Sequence, residues 1–329
     1  MVAPAFEYVT AGSYDEAVRL LAEGGDEAKI LAGGQSLMPM LNLRLARPEL
    51  LIDINGADGR QPSVAGGVLR LPALTRHRVL LEHELVRRHC PLLAAAARHV
   101  GNVRVRNRGT VGGSLAHADP TSEIGSCALA AGAGVVVRGP GGDRTVPAGE
   151  LFAGYWTTTL AESEVITDVL IPAARPRQGW SFHEMVRRTS DFATVAVAAM
   201  VELDGRADTI AAARVALAGV ADRVVLAAPE LLAGLAGGAL GGGALGGGLA
   251  GGALGGGLAG GGPEGGVPEG GALGGGTGDA ADAAAARIAA SLEPPTDVHA
   301  SGDYRRRLVR VLTARALREA YARAAGAVA

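Results

Sequence analysis

Lys29-Ile-Leu-Ala-Gly-Gly-Gln-Ser36 is the stretch on which the reading of this chain turns, and it has a partner further on, Arg106-Asn-Arg-Gly-Thr-Val-Gly-Gly-Ser114. Each sets a glycine pair beside a hydroxyl-bearing residue, and the first follows an apolar run that reads as a buried strand. Glycine tolerates positive φ and carries no side chain, so consecutive main-chain N–H groups can converge on an anion, with Gln35, Ser36, Thr110 and Ser114 as further donors. A single Gly-Gly turn is weak evidence, because a tight strand-to-helix turn has the same text. Two such segments can grip a diphosphate from both sides.

Outward from the first segment, the pattern is strand, helix, strand, helix, strand. Phe6–Val9 reads as a strand, and Ser13 with Glu16 forms a capping box ahead of Ala17, Leu20 and Leu21 on one helical face. Gly24-Gly25 closes that helix, 28–31 is the next strand, and Ser36–Arg44 is a short helix whose N-terminus faces whatever the glycine turn holds. Arg47-Pro48 ends it and 50–54 is a third strand, giving a small α/β lobe over 1–57. An acidic residue at the dinucleotide-fingerprint distance is missing, so this is not a Rossmann unit. A formal GxGxxG at Gly241, Gly243 and Gly246 lies in a glycine tract with no strand before it and is read as chance.

A second lobe is expected over 58–176. It holds a strand at 68–72, Thr75 as cap of a helix through Leu85, an alanine-rich helix at 92–99 stopped by Gly101, and Thr121 or Ser122 capping a helix through Ala131. A hairpin at 134–146 and extended segments at 152–156 and 164–172 complete it. From 177 to 329 the text reads as an α+β domain. Strands at 181–185, 193–203 and 209–217 surround the Asp204-Gly205 turn, followed by helices at 279–291 and 304–325. Arg305-Arg-Arg307 reads as a solvated helix face. Within this domain, 231–278 is a Gly/Leu/Ala-rich insertion whose leucines follow neither helix nor strand period, and it is expected to be loosely ordered. It is too glycine-rich for a membrane span.

Composition narrows the classes. A net charge of −2 and 3% aromatic residues offer neither the field nor the stacking platforms that nucleic acid needs. Cys90 and Cys127 stand without CxxC or histidine spacing, so no iron–sulfur cluster or zinc site is expected on this chain. The amino terminus carries no basic region followed by an apolar core, and the expected location is cytoplasmic.

The flanks of the two glycine segments are more specific than the pairs themselves. AGGQSLMPMLNLRLARPELLIDIN at 32–55 and RNRGTVGGSLAHADPTSEI at 106–124 resemble, almost residue for residue, the FAD-binding medium subunits of the molybdenum hydroxylases, the group with carbon monoxide and xanthine dehydrogenases. The resemblance runs from Phe6 to about Leu317, broken by the insertion, which departs from the family pattern. It implies a two-lobed FAD-binding domain of the PCMH/vanillyl-alcohol-oxidase type followed by a small α+β domain with an antiparallel sheet and helices. It implies that Ala32, Gly33, Gly34, Gln35 and Ser36, with Thr110, Val111, Gly112, Gly113 and Ser114, hold the diphosphate and ribityl chain, with Lys29, Leu31, Leu37 and Val100 beside them. Glu123 would lie near the ribityl and ring region. Tyr155, Ile166 and His183 match cofactor neighbours in relatives, with packing roles as the alternative, and His183 stands where some relatives have lysine. His117 beside Asp119 could move a proton near the flavin; on the residues alone, ordering of the turn before Pro120 is the preferred reading.

The function implied is an electron-transfer subunit that takes electrons from [2Fe–2S] clusters on a small partner. A large partner would hold the molybdopterin, and the assembly would be a dimer of heterotrimers. No metal ligand and no catalytic side chain is expected on this chain; the cofactor supplies the chemistry. The alternatives are a self-contained FAD oxidase with its own substrate pocket and a non-enzymatic scaffold working through the glycine tract.

Overall fold

The computed structural model describes residues 3–205, 208–240 and 278–326. Its first layer is the expected α/β lobe: β1 (Glu7–Thr10), α1 (Tyr14–Gly24), β2 (Ala28–Leu31), α2 (Leu37–Asn42) and β3 (Leu50–Asp53). The strands form a parallel sheet in the order β1-β3-β2, as strands joined through helices must. Ser13 accepts from the Glu16 amide at 3.2 Å, and the Glu16 carboxylate reaches back to the Gly12 amide at 2.8 Å, one residue beyond the usual box. Ala11, Ala17, Leu21 and Ile52 fill the small core.

The middle part begins with β4 (Ser63–Ala65) and β5 (Val68–Pro72) and continues through a run of short helices: α3 (His77–Glu82), α4 (Glu84–His89), α5 (Pro91–Ala97), α6 (Val103–Arg108), α7 (Val111–His117) and α8 (Glu123–Ala131). The hairpin β6 (Gly134–Gly139) and β7 (Gly142–Pro147), the turn α9 (Ala148–Leu151), the ribbon β8 (Phe152–Gly154) and β9 (Thr157–Thr158), and β10 (Val165–Pro172) follow. An antiparallel sheet in the order β4-β5-β10-β6-β7 carries the helices. Thr75 does not cap a helix through Leu85. The helix starts at His77 without a side-chain cap and breaks at His83, while the Thr75 carbonyl accepts the Val111 amide at 3.0 Å and ties β5 to α7. Ser122, not Thr121, caps α8 by accepting from Gly125 at 3.0 Å.

The last part is an antiparallel sheet, β11 (Gln178–Met185), β12 (Val195–Leu203), β13 (Ile210–Ala218) and β14 (Val225–Leu226), with α10 (Pro229–Leu232), α11 (Gly278–Ala290) and α12 (Gly302–Ala324). The sheet is covered on both faces. Val197, Val201 and Leu217 pack with Ile288, Leu312 and Leu317 of the C-terminal helices, while Ala196, Ala198, Ala216 and Ala218 share a core with α5 and α8. Small side chains on the second face let the middle helices approach closely. The Asp204-Gly205 turn does lie between β12 and β13, but Leu203 pairs with Ile210, so the connection is longer than two residues, and 206–207 lie outside the described residues.

Two expectations fail here. Arg305 is buried rather than solvated: it donates to the Thr194 and Gly219 carbonyls at 2.5 and 2.9 Å and to Asp297 at 2.6 Å. A charge run cannot reveal that one member has two buried carbonyls, as well as a surface carboxylate, to bind. The start of the insertion is not loose, because Leu232, Leu235 and Leu240 are buried in the core that contains α11, and Ile210 and Gly238 are hydrogen-bonded at 3.0 Å. The remainder of the tract, including Gly241, Gly243 and Gly246, lies outside the described residues.

Candidate cofactor site

β2 delivers the chain into Ala32–Ser36, where Gly34 adopts φ 71°, a conformation that excludes most side chains. The main-chain amides of Gly33, Gly34, Gln35 and Ser36 find no acceptor among the described residues. Unpaired amides in a row that includes a buried glycine are an arrangement with the chemistry to receive an anion. Around them the backbone is held firmly. The Ala32 carbonyl accepts Asn55 Nδ2 at 2.9 Å, Asn55 is fixed by Asp53 at 2.6 Å, and Gln35 Nε2 donates to the Gly33 carbonyl at 3.2 Å. Lys29 is exposed on β2, Leu31 ends that strand half-buried, and Leu37 opens α2.

The second glycine segment meets the first. A Cβ on Gly33 would stand 2.8 Å from the Gly109 Cα and nearer still to the Arg108 carbonyl oxygen, so glycine is required for the approach. Arg76 locks the junction, donating to Asn55 Oδ1 at 2.5 Å and to the Arg108 carbonyl. Burial holds its guanidinium below the usual arginine range. The glycine pair itself differs from expectation. Gly112 and Gly113 lie in the first turn of α7, and their amides are spent inside the chain, Gly112 on the Ala73 carbonyl at 2.8 Å and Gly113 on the Thr110 hydroxyl at 3.1 Å. Val111 donates to Thr75 and sits in the core. Gly112 is small because Ala73 lies against it, its added Cβ falling 2.5 Å from the Ala73 Cβ. Ser114 turns its hydroxyl to His77 Nε2 at 3.0 Å, and the same nitrogen lies 3.0 Å from the Thr110 carbonyl. Burial pushes the His77 imidazole down to about 4, so it is neutral at pH 7. The free donors therefore come from the first segment, and the second supplies a close wall.

At the far end of α7, Ala118 takes a left-handed φ of 52°, and His117 Nε2 lies 3.9 Å from Asp119 Oδ2. Asp119 Oδ1 accepts from the Thr121 amide and hydroxyl at 2.8 and 2.6 Å, which is the turn-ordering arrangement. Burial lowers the His117 pKa, opposed by Asp119. Glu123 opens α8, and burial, followed by the charges of Glu184 and Asp119, pushes its carboxyl up to about 7. Val100 is buried in the middle core. Ile166 is buried on β10 in the same core, and Tyr155 is half-exposed, its ring 5.8 Å from Trp156. His183 faces the other way: its Nε2 is 2.7 Å from Glu319 on α12. Strand alternation puts its neighbour Glu184 on the side of α5 and α8 instead, 2.9 Å from His99.

Sequence reading missed Asn55, Arg76, His77, His99 and Glu184. Asn55, at the end of β3 and inside the family-like stretch, was the one with a visible signal. No group of three or more His, Cys, Asp or Glu among the described residues could hold a metal ion, and no described helix is long and apolar enough to cross a membrane.

Residues 4–174 match the FAD binding domain in molybdopterin dehydrogenase, and 180–246 with 274–320 match the CO dehydrogenase flavoprotein C-terminal domain. The carbon monoxide dehydrogenase medium chain of Hydrogenophaga pseudoflava is 40% identical over 222 residues, 67% of this chain and 77% of that one. Nicotine 6-hydroxylase medium subunit of Paenarthrobacter nicotinovorans is 35% identical over 326 residues, 98% and 100% of the two chains. Among solved structures, the H. pseudoflava carbon monoxide dehydrogenase that lacks the Mo-pyranopterin moiety superposes with a TM-score of 0.84 at 35% identity, covering 98% of this chain and 99% of that one.

Proposed function

The chain belongs to the family of FAD-binding medium subunits of molybdenum hydroxylases, and from that premise we propose that it carries electrons from [2Fe–2S] clusters of a small partner subunit through FAD to an external acceptor. The unpaired amides of Gly33 to Ser36, walled by the second glycine segment, are the observation that carries the reading. They fit a diphosphate, whose oxygens need several N–H donors at once and tolerate no side chain between. When bound, FAD supplies the electron-accepting and electron-donating chemistry.

The protein's own contribution is placement. Asn55 and Arg76 fix the two segments against each other, neutral His77 fixes the Thr110 carbonyl, and Thr110 starts the helix that forms the wall. Ala32 to Ser36 would hold the diphosphate, with Lys29, Leu31 and Leu37 flanking it; Thr110 to Ser114 would line the opposite side; Val100, His117, Asp119 and Glu123 would face the remainder of the cofactor. Tyr155 stays a candidate neighbour of the ring, whereas buried Ile166 and outward-turned His183 would act only through packing. A large molybdopterin-bearing subunit and a small cluster-bearing subunit, assembled as a dimer of heterotrimers in the cytoplasm, complete the proposal.

Two measurements test it. The purified chain mixed with FAD should acquire a flavin absorbance that survives gel filtration; a folded chain that stays colourless refutes cofactor binding. In the assembled complex, flavin absorbance should bleach after the cluster signals on rapid mixing with the substrate of the large subunit. Bleaching that survives loss of the clusters refutes the electron route.

A further inference from the structure

The second glycine segment spends its amides inside the chain, yet one of its side chains keeps a proton that no neighbour receives. His77 Nε2 lies 3.0 Å from the Thr110 carbonyl oxygen and 3.0 Å from Ser114 Oγ, while Nδ1 is buried without a hydrogen-bond partner among the described residues. A carbonyl oxygen only accepts, so the contact with Thr110 needs the ring proton on Nε2. The other tautomer would bury an N–H at Nδ1 with nothing to receive it and set two lone pairs against each other at Nε2. Burial lowers the His77 pKa to about 4, so the ring at pH 7 is neutral and carries one N–H only. Ser114 Oγ therefore faces an N–H, to which a hydroxyl can offer only a lone pair. The hydroxyl proton points elsewhere, and no acceptor for it lies among the described residues. The Thr110 carbonyl, one turn back, is already taken by the Ser114 amide at 3.0 Å and by His77.

We propose that His77 is a positioning residue of the cofactor cleft: its Nε2–H engages a lone pair of Ser114 and turns the Ser114 hydroxyl proton outward, to donate to a diphosphate oxygen. Ser114 is placed for this. It is half-buried on α7, and Gly113 before it stands so near the first segment that an added Cβ would meet the Ala32 Cβ at 3.9 Å. His77 is anchored at the same junction, its amide donating to the Gly109 carbonyl at 3.0 Å, and Gly109 is the residue against which Gly33 packs. The amides of Gly33 to Ser36 then approach the anion from one side, and one hydroxyl with its proton aimed away from the imidazole approaches from the other. A ring with a bare Nε2 would do the opposite, drawing the hydroxyl proton to itself and leaving only lone pairs toward the phosphate. The tautomer thus decides whether the wall attracts or repels. The inference rests on the diphosphate reading proposed above and adds to it the side chain that orients one of the donors.

A double-mutant cycle on the FAD dissociation constant of the full chain, followed by flavin fluorescence, is the test. Ser114→Ala should raise Kd about 10- to 150-fold, the loss of one hydrogen bond to a charged group. His77→Leu should raise it by a similar factor while Ser114 is present and by less than about threefold in the Ser114→Ala background, where no hydroxyl is left to orient. A purely structural role would give equal rises in both backgrounds. His77→Gln, whose amide still donates, should keep most of the wild-type affinity, and nitrogen NMR of the histidine-labelled wild type at pH 7 should place the His77 proton on Nε2. Equal rises in the two backgrounds, a Ser114→Ala chain that binds FAD like the wild type, a His77→Gln chain as weak as His77→Leu, or a proton on Nδ1 overturns the proposal. A wild-type chain that binds no FAD instead refutes the cofactor reading, and this inference falls with it. Should His77→Leu fail to fold, Ser114→Ala and the NMR still decide it.

Discussion

Gly33→Ala tests the cofactor site at its tightest point. The added Cβ stands 2.8 Å from the Gly109 Cα, against 3.4 Å where ordinary contact begins, and its other neighbour is the Arg108 carbonyl that Arg76 holds in place. Neither obstacle is a flexible side-chain end, so the two glycine segments must separate by about half an ångström or more. Small-to-large changes in packed surroundings cost about 1–3 kcal/mol. In the free chain, separation relieves the strain; FAD needs the segments together, so the cost moves to the binding step and raises Kd about 5- to 150-fold. The assay is titration of the apo chain with FAD followed by flavin fluorescence, with urea unfolding run in parallel. Gly59→Ala is the control, because nothing lies within 4 Å of its added Cβ, and its Kd should match the wild type. If Gly33→Ala binds FAD as tightly as the wild type, the juxtaposition of the segments is not what holds the cofactor, even should stability fall.

Further tests address stability. Glu123 has its carboxyl raised from 4.5 to about 7, so between those values the folded chain keeps a proton that the unfolded chain has released. Stability contributed by this group therefore declines as pH rises through that window and levels off above it, a loss of about 3 kcal/mol; Glu123→Gln should flatten the decline in urea unfolding from pH 5 to 8, and an unchanged slope refutes the assignment. Arg305→Met strands the buried Thr194 and Gly219 carbonyls and removes the ion pair to exposed Asp297, which should cost about 2–4 kcal/mol while leaving the FAD Kd unaltered; an exposed-arginine effect near zero would contradict the burial. Both cysteines are buried, with the Cys90 thiol pushed up to about 11 and that of Cys127 also raised by burial, so a thiol reagent at pH 8 should label the native chain no faster than it unfolds. Fast labelling of either would show an opening the structure lacks.

Much of this arrangement was legible beforehand because it is local. The parallel lobe followed from apolar strands separated by a capping box and two glycine pairs, and the antiparallel sheet followed from long apolar runs at 193–203 and 209–217. Hydrogen-bond assignment was not legible. Gly112 and Gly113 read as anion donors, yet the Ala73 carbonyl and the Thr110 hydroxyl claim their amides, and Ala73 comes from a strand end far away in sequence. Likewise His183 and Glu184 are adjacent in the text, and only their opposite orientations decide which one meets the α5–α8 side.

By itself the sequence determined the order of the main strands and helices in the first lobe and the C-terminal sheet, the two glycine segments and the family, since these depend on neighbours a few residues apart. Tertiary structure alone decided that Arg76 and Asn55 lock the two segments, that Arg305 is an interior ligand of carbonyls, and that Glu184 lies beside His99. The physical reason is that a polar group's role is set by which acceptors and charges surround it after burial, and those come from segments brought together only by the fold.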